Sequence, residues 1–212
     1  MSRARCLPFR ASRLTTAPFA VYLGYVLARR RFRGKALLET VAMLPLVLPP
    51  VVTGFFLLYL LAPRGPVGFV LNAAFGIRIP FTLTAAILAA GLVSFPLFLR
   101  GAKVGFAGVP RELEEMVSTL GHRPAAVFRK VSLPLARHGI LAGMLLAFAR
   151  ALGEFGATLV VAGNIPGRTQ TLPLAIYRAT QLGDTKQGWL LIGVAAALAF
   201  VLMLVTRRLE RA

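Results

Sequence analysis

Arg150 and Glu154 are charged residues inside an otherwise apolar stretch, reading AFARALGEFGAT from Ala147 to Thr158. An ionisable side chain at membrane depth is costly unless it is paired or hydrated. At i and i+4 of a helix the two share one face, which suits either a mutually neutralising structural pair or a polar position beside a path or gate. Thr53, Gly54 and Ser94 are further candidates for such a path, because they are small or polar in stretches that prolines bend. Gly153 and Gly156 flank Glu154 and would allow close helix contact, which also suits an interface between two copies of the chain. The other reactive side chains argue against catalysis. Cys6 is the single cysteine, so an internal disulfide is excluded and a thiolate metal or redox site is not expected. His122 and His138 lack the H-E-x-x-H arrangement of a zinc site and read as polar loop residues near a membrane surface. Asp184 is the sole aspartate and lies in a loop, which leaves no aspartate dyad for an intramembrane protease. A serine mechanism at Ser94 would need a histidine inside a span, and neither histidine is expected in one.

Composition dictates where these residues are held. Of the 212 residues, 57% are apolar and 15% charged, an imbalance that one water-soluble core does not hide. Uncharged apolar runs approach the roughly 20 residues a helix needs to cross a bilayer. They cover residues 14–28, 41–61, 81–99, about 140–162 (with the ion pair) and 189–205. The first is short, contains Pro18 and follows Arg3, Arg5, Arg10 and Arg13; it reads as a span rather than a signal peptide, because arginines 29, 30, 31 and 33 follow where a cleavage site would be. The second carries Pro45, Pro49, Pro50 and Gly54, which force bends. The expected fold class is all-α, a polytopic transmembrane bundle of five spans or at most six, forming one membrane domain over residues 1–212. Residues 171–182 suit either a short surface helix or a loop.

The net charge of +18 would suggest nucleic acid on a soluble domain, but the cations sit in the connections between apolar runs, so no nucleic-acid partner is expected. Residues 29–35 hold five cations, residues 100–137 seven and the C-terminus three; the opposite set of loops holds five, or nine with the N-terminal arginines. The positive-inside rule therefore puts the 100–139 loop and the C-terminus in the cytoplasm. An odd number of spans leaves the N-terminus outside, where its arginines fit poorly.

That loop is long for a plain connection. Glu112, Glu114 and Glu115 open a helix after Pro110, where the helix dipole favours acids, and Gly121 supplies the left-handed residue that ends it. Pro124 starts a second short helix, on which Ala125, Phe128 and Val131 form an apolar edge, and Pro134 is expected to stop it. Two short helices hinged at a glycine can enter a groove on a partner. Glu115, Gly121 six residues on, Val131 ten further, then Leu133 and Pro134 match the spacing of EAA-x3-G-x9-I-x-LP, and the segment resembles the EAA loop of ABC importer permeases. Met116 and Val117 replace the two alanines and Val131 the isoleucine, all apolar exchanges. The resemblance implies that the loop docks on a cytoplasmic ATPase. ATP and magnesium would be bound there, since this chain carries no Gly-x4-Gly-Lys-Ser/Thr phosphate loop and needs no cofactor of its own.

LPLVLPPVV at 44–52 and AFARALGEFGAT are similar to the molybdate and sulfate permease group, and NIPG at 164–167, with Arg168, Thr169 and Thr171-Leu172-Pro173, resembles its molybdate branch. The likeness runs from about residue 28 to 210; residues 1–24 depart from it, since the family usually begins with a longer apolar helix. It implies a type I importer permease in a bacterial inner membrane, carrying molybdate, with sulfate or tungstate as the alternative. The implied partners are an ABC ATPase, an external or periplasmic oxyanion-binding protein, a second copy of the chain and membrane lipid.

Overall fold

The computed structural model describes the backbone of residues 7–211 and the side chains of residues 18–208. Cys6, the side chains of Arg10, Arg13 and Arg211, and the arginines at 3 and 5 lie outside the described residues. Every described element is helical, in the order α1 (Leu7–Arg29), α2 (Lys35–Val47), α3 (Pro50–Leu61), α4 (Pro66–Phe75), α5 (Leu83–Ala107), α6 (Arg111–Thr119) and α7 (Pro124–Val127). A π-turn (Phe128–Ser132) leads from α7 into α8 (Leu133–Leu152), followed by α9 (Gly156–Ala162), α10 (Leu172–Gln181) and α11 (Thr185–Arg211).

Among the described residues three helical stretches are long and apolar enough to cross a bilayer: Leu83–Ala107, Pro124–Leu152 and Thr185–Arg208. The pair α2 and α3 passes the same test but bends by 109°. The break falls at Leu48 and Pro49, where proline cannot donate to the helix ladder. Three or four crossings are therefore described, against the five expected. The remaining run, residues 14–28, lies in α1, part of whose side chains is outside the described residues.

Three sequence expectations are corrected. The third run does not end at residue 99: α5 continues to Ala107, taking Arg100 and Lys103 into the helix. Pro134 does not stop a helix, because Leu133 donates its amide to Phe128 O, five residues back, and the helix continues into α8. The wider turn spares the fourth-back hydrogen bond that proline would have broken. The fourth run is broken, since α8 ends at Leu152 and α9 begins at Gly156. The segment left open as helix or loop is helical, as α10.

The chain forms two compact units. The first, residues 1–42, 95–147 and 204–212, is closed by the pairing of α5 with α8. A β-carbon added to Gly143 would lie 2.8 Å from Cα of Gly101, and one on Gly105 3.1 Å from Cα of Gly139. Two G-x3-G pairs thus bring the two backbones together at a distance that side chains would forbid. Below them Tyr25, Phe106 and Phe128 form an aromatic cluster, with ring centroids 4.8–5.8 Å apart, and Lys103 pairs with Glu39.

The second unit, residues 43–94 and 148–203, packs α3 on α9. Gly54 makes this possible: its β-carbon would meet Cα of Ala157 at 2.7 Å. Ala85, Ala86, Ala89 and Val93 of α5 pack with Ala157, Val161 and Ala162 of α9. Short α9 still needs partners for its end groups. Gly163 N donates to Leu159 O, and Phe81 N, from a residue at φ 59°, donates to Val161 O.

Candidate coupling loop and ion-pair site

The loop between α5 and α8 is almost wholly helical. Pro110 precedes α6, Glu112 and Glu114 lie in its first turn, and Leu120 caps its end. Gly121 follows at φ +81°, with open space where a β-carbon would point. Only backbone conformation demands glycine here. Pro124 stands in the first turn of α7, where its missing N–H breaks no bond.

Of the residues on this loop, Glu115, Gly121, Pro124, Ala125 and Pro134 are exposed, while Phe128, Val131 and Leu133 are half-buried. Phe128 and Leu133 face inward against the core around Phe106, so the expected apolar edge of Ala125, Phe128 and Val131 does not form one outward surface. The outward apolar edge is on α6 instead. Leu113, Met116 and Leu120, at helical spacing, are 39%, 61% and 73% exposed. That stripe was readable from its period of three and four residues.

Sequence reasoning also missed the carboxylate that holds the loop. Glu114 Oε1 accepts from Arg29 Nη2 at 3.0 Å and from Ser132 Oγ at 2.6 Å. The same Arg29 nitrogen donates to Val109 O at 2.7 Å. Arg29 and Glu114 side chains are only 10% and 15% exposed, and Ser132 is fully buried. One shielded network therefore joins the end of α1, the start of α6 and the π-turn.

In the second unit Arg150 Nη1 and Glu154 Oε2 are 2.9 Å apart. They do not share a helix face: Glu154 lies in the break after α8, and its Oε1 accepts from the Ala157 amide at 2.8 Å in the first turn of α9. The carboxylate thus stands where an anion would meet this helix end and takes up one of its free donors. Its side chain is 1% exposed and that of Arg150 28%. Both border an open pocket of about 420 Å³ with Pro50, Val51, Phe155 and Leu159. Thr53 and Ser94 are buried; Ser94 Oγ donates to Gly91 O at 3.2 Å, while Thr53 Oγ1 has no partner among the described residues. Gly54 is taken up by the α3–α9 contact. The NIPG stretch forms a cross-tied turn, in which Gln170 Nε2 donates to Asn164 Oδ1 at 3.0 Å and Ile165 N to Thr169 Oγ1 at 3.1 Å.

Comparison with known proteins gives the chain its family. The chain is 44% identical over 200 residues to the molybdenum transport system permease protein ModB of Escherichia coli (strain K12), a match covering 93% of this chain and 87% of that one. It is 40% identical over 202 residues to ModB of Haemophilus influenzae, covering 95% and 88%. Among solved structures it resembles a bacterial alginate ABC transporter in complex with an alginate pentasaccharide-bound periplasmic protein, with TM-score 0.70, 16% identity and coverage of 96% and 75%. It also resembles the inward-facing MetNI methionine ABC transporter, with TM-score 0.63, 15% identity and coverage of 95% and 92%. At such identities the structures establish the shared fold of ABC importer permeases. The profile described as binding-protein-dependent transport system inner membrane component matches residues 20–212, and the chain belongs to that family.

Proposed function

We propose that this chain is the permease subunit of an ABC importer that carries molybdate across the cytoplasmic membrane. The observation that carries this reading is the α6 stripe of Leu113, Met116 and Leu120, exposed on a helix held from behind by Glu114 and ended by Gly121. An apolar helix edge on a rigid mount suits a partner's groove. The flanking helices α5 and α8 are locked by their glycines, so a push on the loop moves them together rather than bending the loop.

The implied partner is a cytoplasmic ATPase, which would hold the nucleotide and its magnesium. Nucleotide binding drives the permease only if it favours one of the two conformations, since equal affinity shifts nothing. The relatives named for molybdenum transport support molybdate as the cargo, and an external oxyanion-binding protein would deliver it. Two copies on a twofold axis would enclose the path, because three or four crossings, or five with α1, make too small a wall. The loop and C-terminus face the cytoplasm in this arrangement, following the cation count. Arg150, partly exposed at the pocket mouth, is the candidate polar position beside the path, and Thr53 and Ser94 are secondary ones. Glu154 pairs with Arg150, which would keep this position from being a deep anion well and favour release.

The test is to reconstitute the chain with its ATPase and binding protein in proteoliposomes and compare ATP-driven uptake of molybdate, tungstate and sulfate. Molybdate should be accumulated in preference to sulfate. Preference for sulfate or tungstate would move the assignment to that anion, and no ATP-driven uptake of any of the three would contradict it.

A further inference from the structure

We propose that Glu114 is the positioning residue through which motion of the docking helix reaches α1 as well as α8. This inference rests on the ATPase-coupled reading above and deepens it. Sequence spacing selects Glu115 as the loop's acidic residue, yet Glu115 is exposed and its neighbour Glu114 carries the long-range contacts. Its Oε1 is shared by two donors from different elements, the guanidinium at the last residue of α1 and the hydroxyl at the last residue of the π-turn. The guanidinium nitrogen that reaches Glu114 also holds Val109 O, in the short link between α5 and α6. Two elements thus meet on one carboxylate oxygen, and a third point, Val109 O, is tied to it through Arg29.

Charge-assisted hydrogen bonds shielded from water are short, directional and costly to break singly. A tether of this kind transmits displacement where apolar packing alone would allow sliding. The π-turn beneath Ser132 is the compliant part: its amide ladder is already wider than an α-helix. With Glu114 in place, a push on α6 is delivered to α1 and α8 together. Without it, α6 rocks about Gly121 and the push is spent there.

The experiment uses the complete complex in proteoliposomes and reads the ATP hydrolysed per molybdate accumulated. A residue needed only for folding lowers the yield of complex and leaves that ratio unchanged. Glu114→Gln keeps the shape and an acceptor but loses the charge, and Ser132→Ala removes one hydroxyl. The ratio should rise about tenfold in the first and about threefold in the second, with ATPase still bound. Adding Arg29→Gln to Glu114→Gln should cost less than the sum of the two single variants, because the two share one bond. A wild-type ratio in the assembled variants overturns the proposal, and Ser132→Ala decides alone if Glu114→Gln does not assemble. Failure of the underlying reading looks different, since the wild-type complex itself would then accumulate no molybdate.

Discussion

Glu114 and Glu154 make the same bond in two different settings. Glu154 is a buried carboxylate and Glu114 a half-buried one; each pairs with an arginine at 2.9–3.0 Å, and each uses its oxygens to hold a second element. Glu154 works within one stretch of chain: it closes the break between α8 and α9 by taking both the Arg150 guanidinium and the Ala157 amide. Glu114 reaches an arginine 85 residues upstream and a serine 18 residues downstream. The first contact lets a helix break survive among apolar neighbours, where unsatisfied ends are expensive. The second makes one body of three elements, beside an apolar edge left bare. A local carboxylate stabilises; a long-range one can also transmit.

Substitutions at four positions would break or sharpen that contrast, ranked by the largest expected cost at each position to the folded protein. Gly101→Leu drives a side chain into the backbone of α8 and should cost about 3 kcal/mol, so that little monodisperse protein survives in detergent. A normal yield would remove the rigid mount on which the coupling reading depends. Glu154→Ala strips the α9 end of its acceptor and leaves Arg150 unpaired, for a loss of about 2 kcal/mol measured as a lower Tm. Glu154→Gln keeps the acceptor and should lose less than half of that; if it instead abolishes uptake at unchanged Tm, Glu154 acts on the path and not in the frame.

Gly121→Val forces a β-branched residue to φ +81°, at about 1–2 kcal/mol, with nothing to clash against. Membrane insertion should persist while the ATPase detaches or ATP-driven uptake is lost, and retained uptake would falsify the docking role of the loop. Leu120→Asp changes a mostly exposed side chain and should alter stability by less than about 0.5 kcal/mol, yet weaken ATPase retention in pull-down from the membrane. Unchanged retention would move the docking edge elsewhere.

Much of this geometry was open to reading residue by residue. Gly121 and Pro124 were legible because each answers a local backbone demand, a left-handed φ and a first-turn position without a donor. Pro134 was misread as a stop, since the rule assumes an α-ladder and the π-turn shifts the register beneath it. Glu154 was placed on a helix face because the apolar run looks continuous; the break depends on α9 turning to pack on α3 through Gly54 and Gly156. Helix α4 was missed although Pro66 at its start and Gly76, left-handed at its end, announce it. Gly101, Gly105, Gly139 and Gly143 were not singled out from the sequence, because only the tertiary pairing shows what they touch. No local pattern separates Glu114 from Glu115. The arginine that distinguishes them is far away in sequence.

Coupling to an ATPase depends most directly on where the α6 edge faces and what covers it. With Cys6 replaced by serine and Met116→Cys introduced, a membrane-impermeant thiol reagent should label the protein only from the cytoplasmic side. Assembly with the ATPase should then protect that cysteine. Labelling from the outer side, or labelling that the ATPase does not diminish, would contradict it.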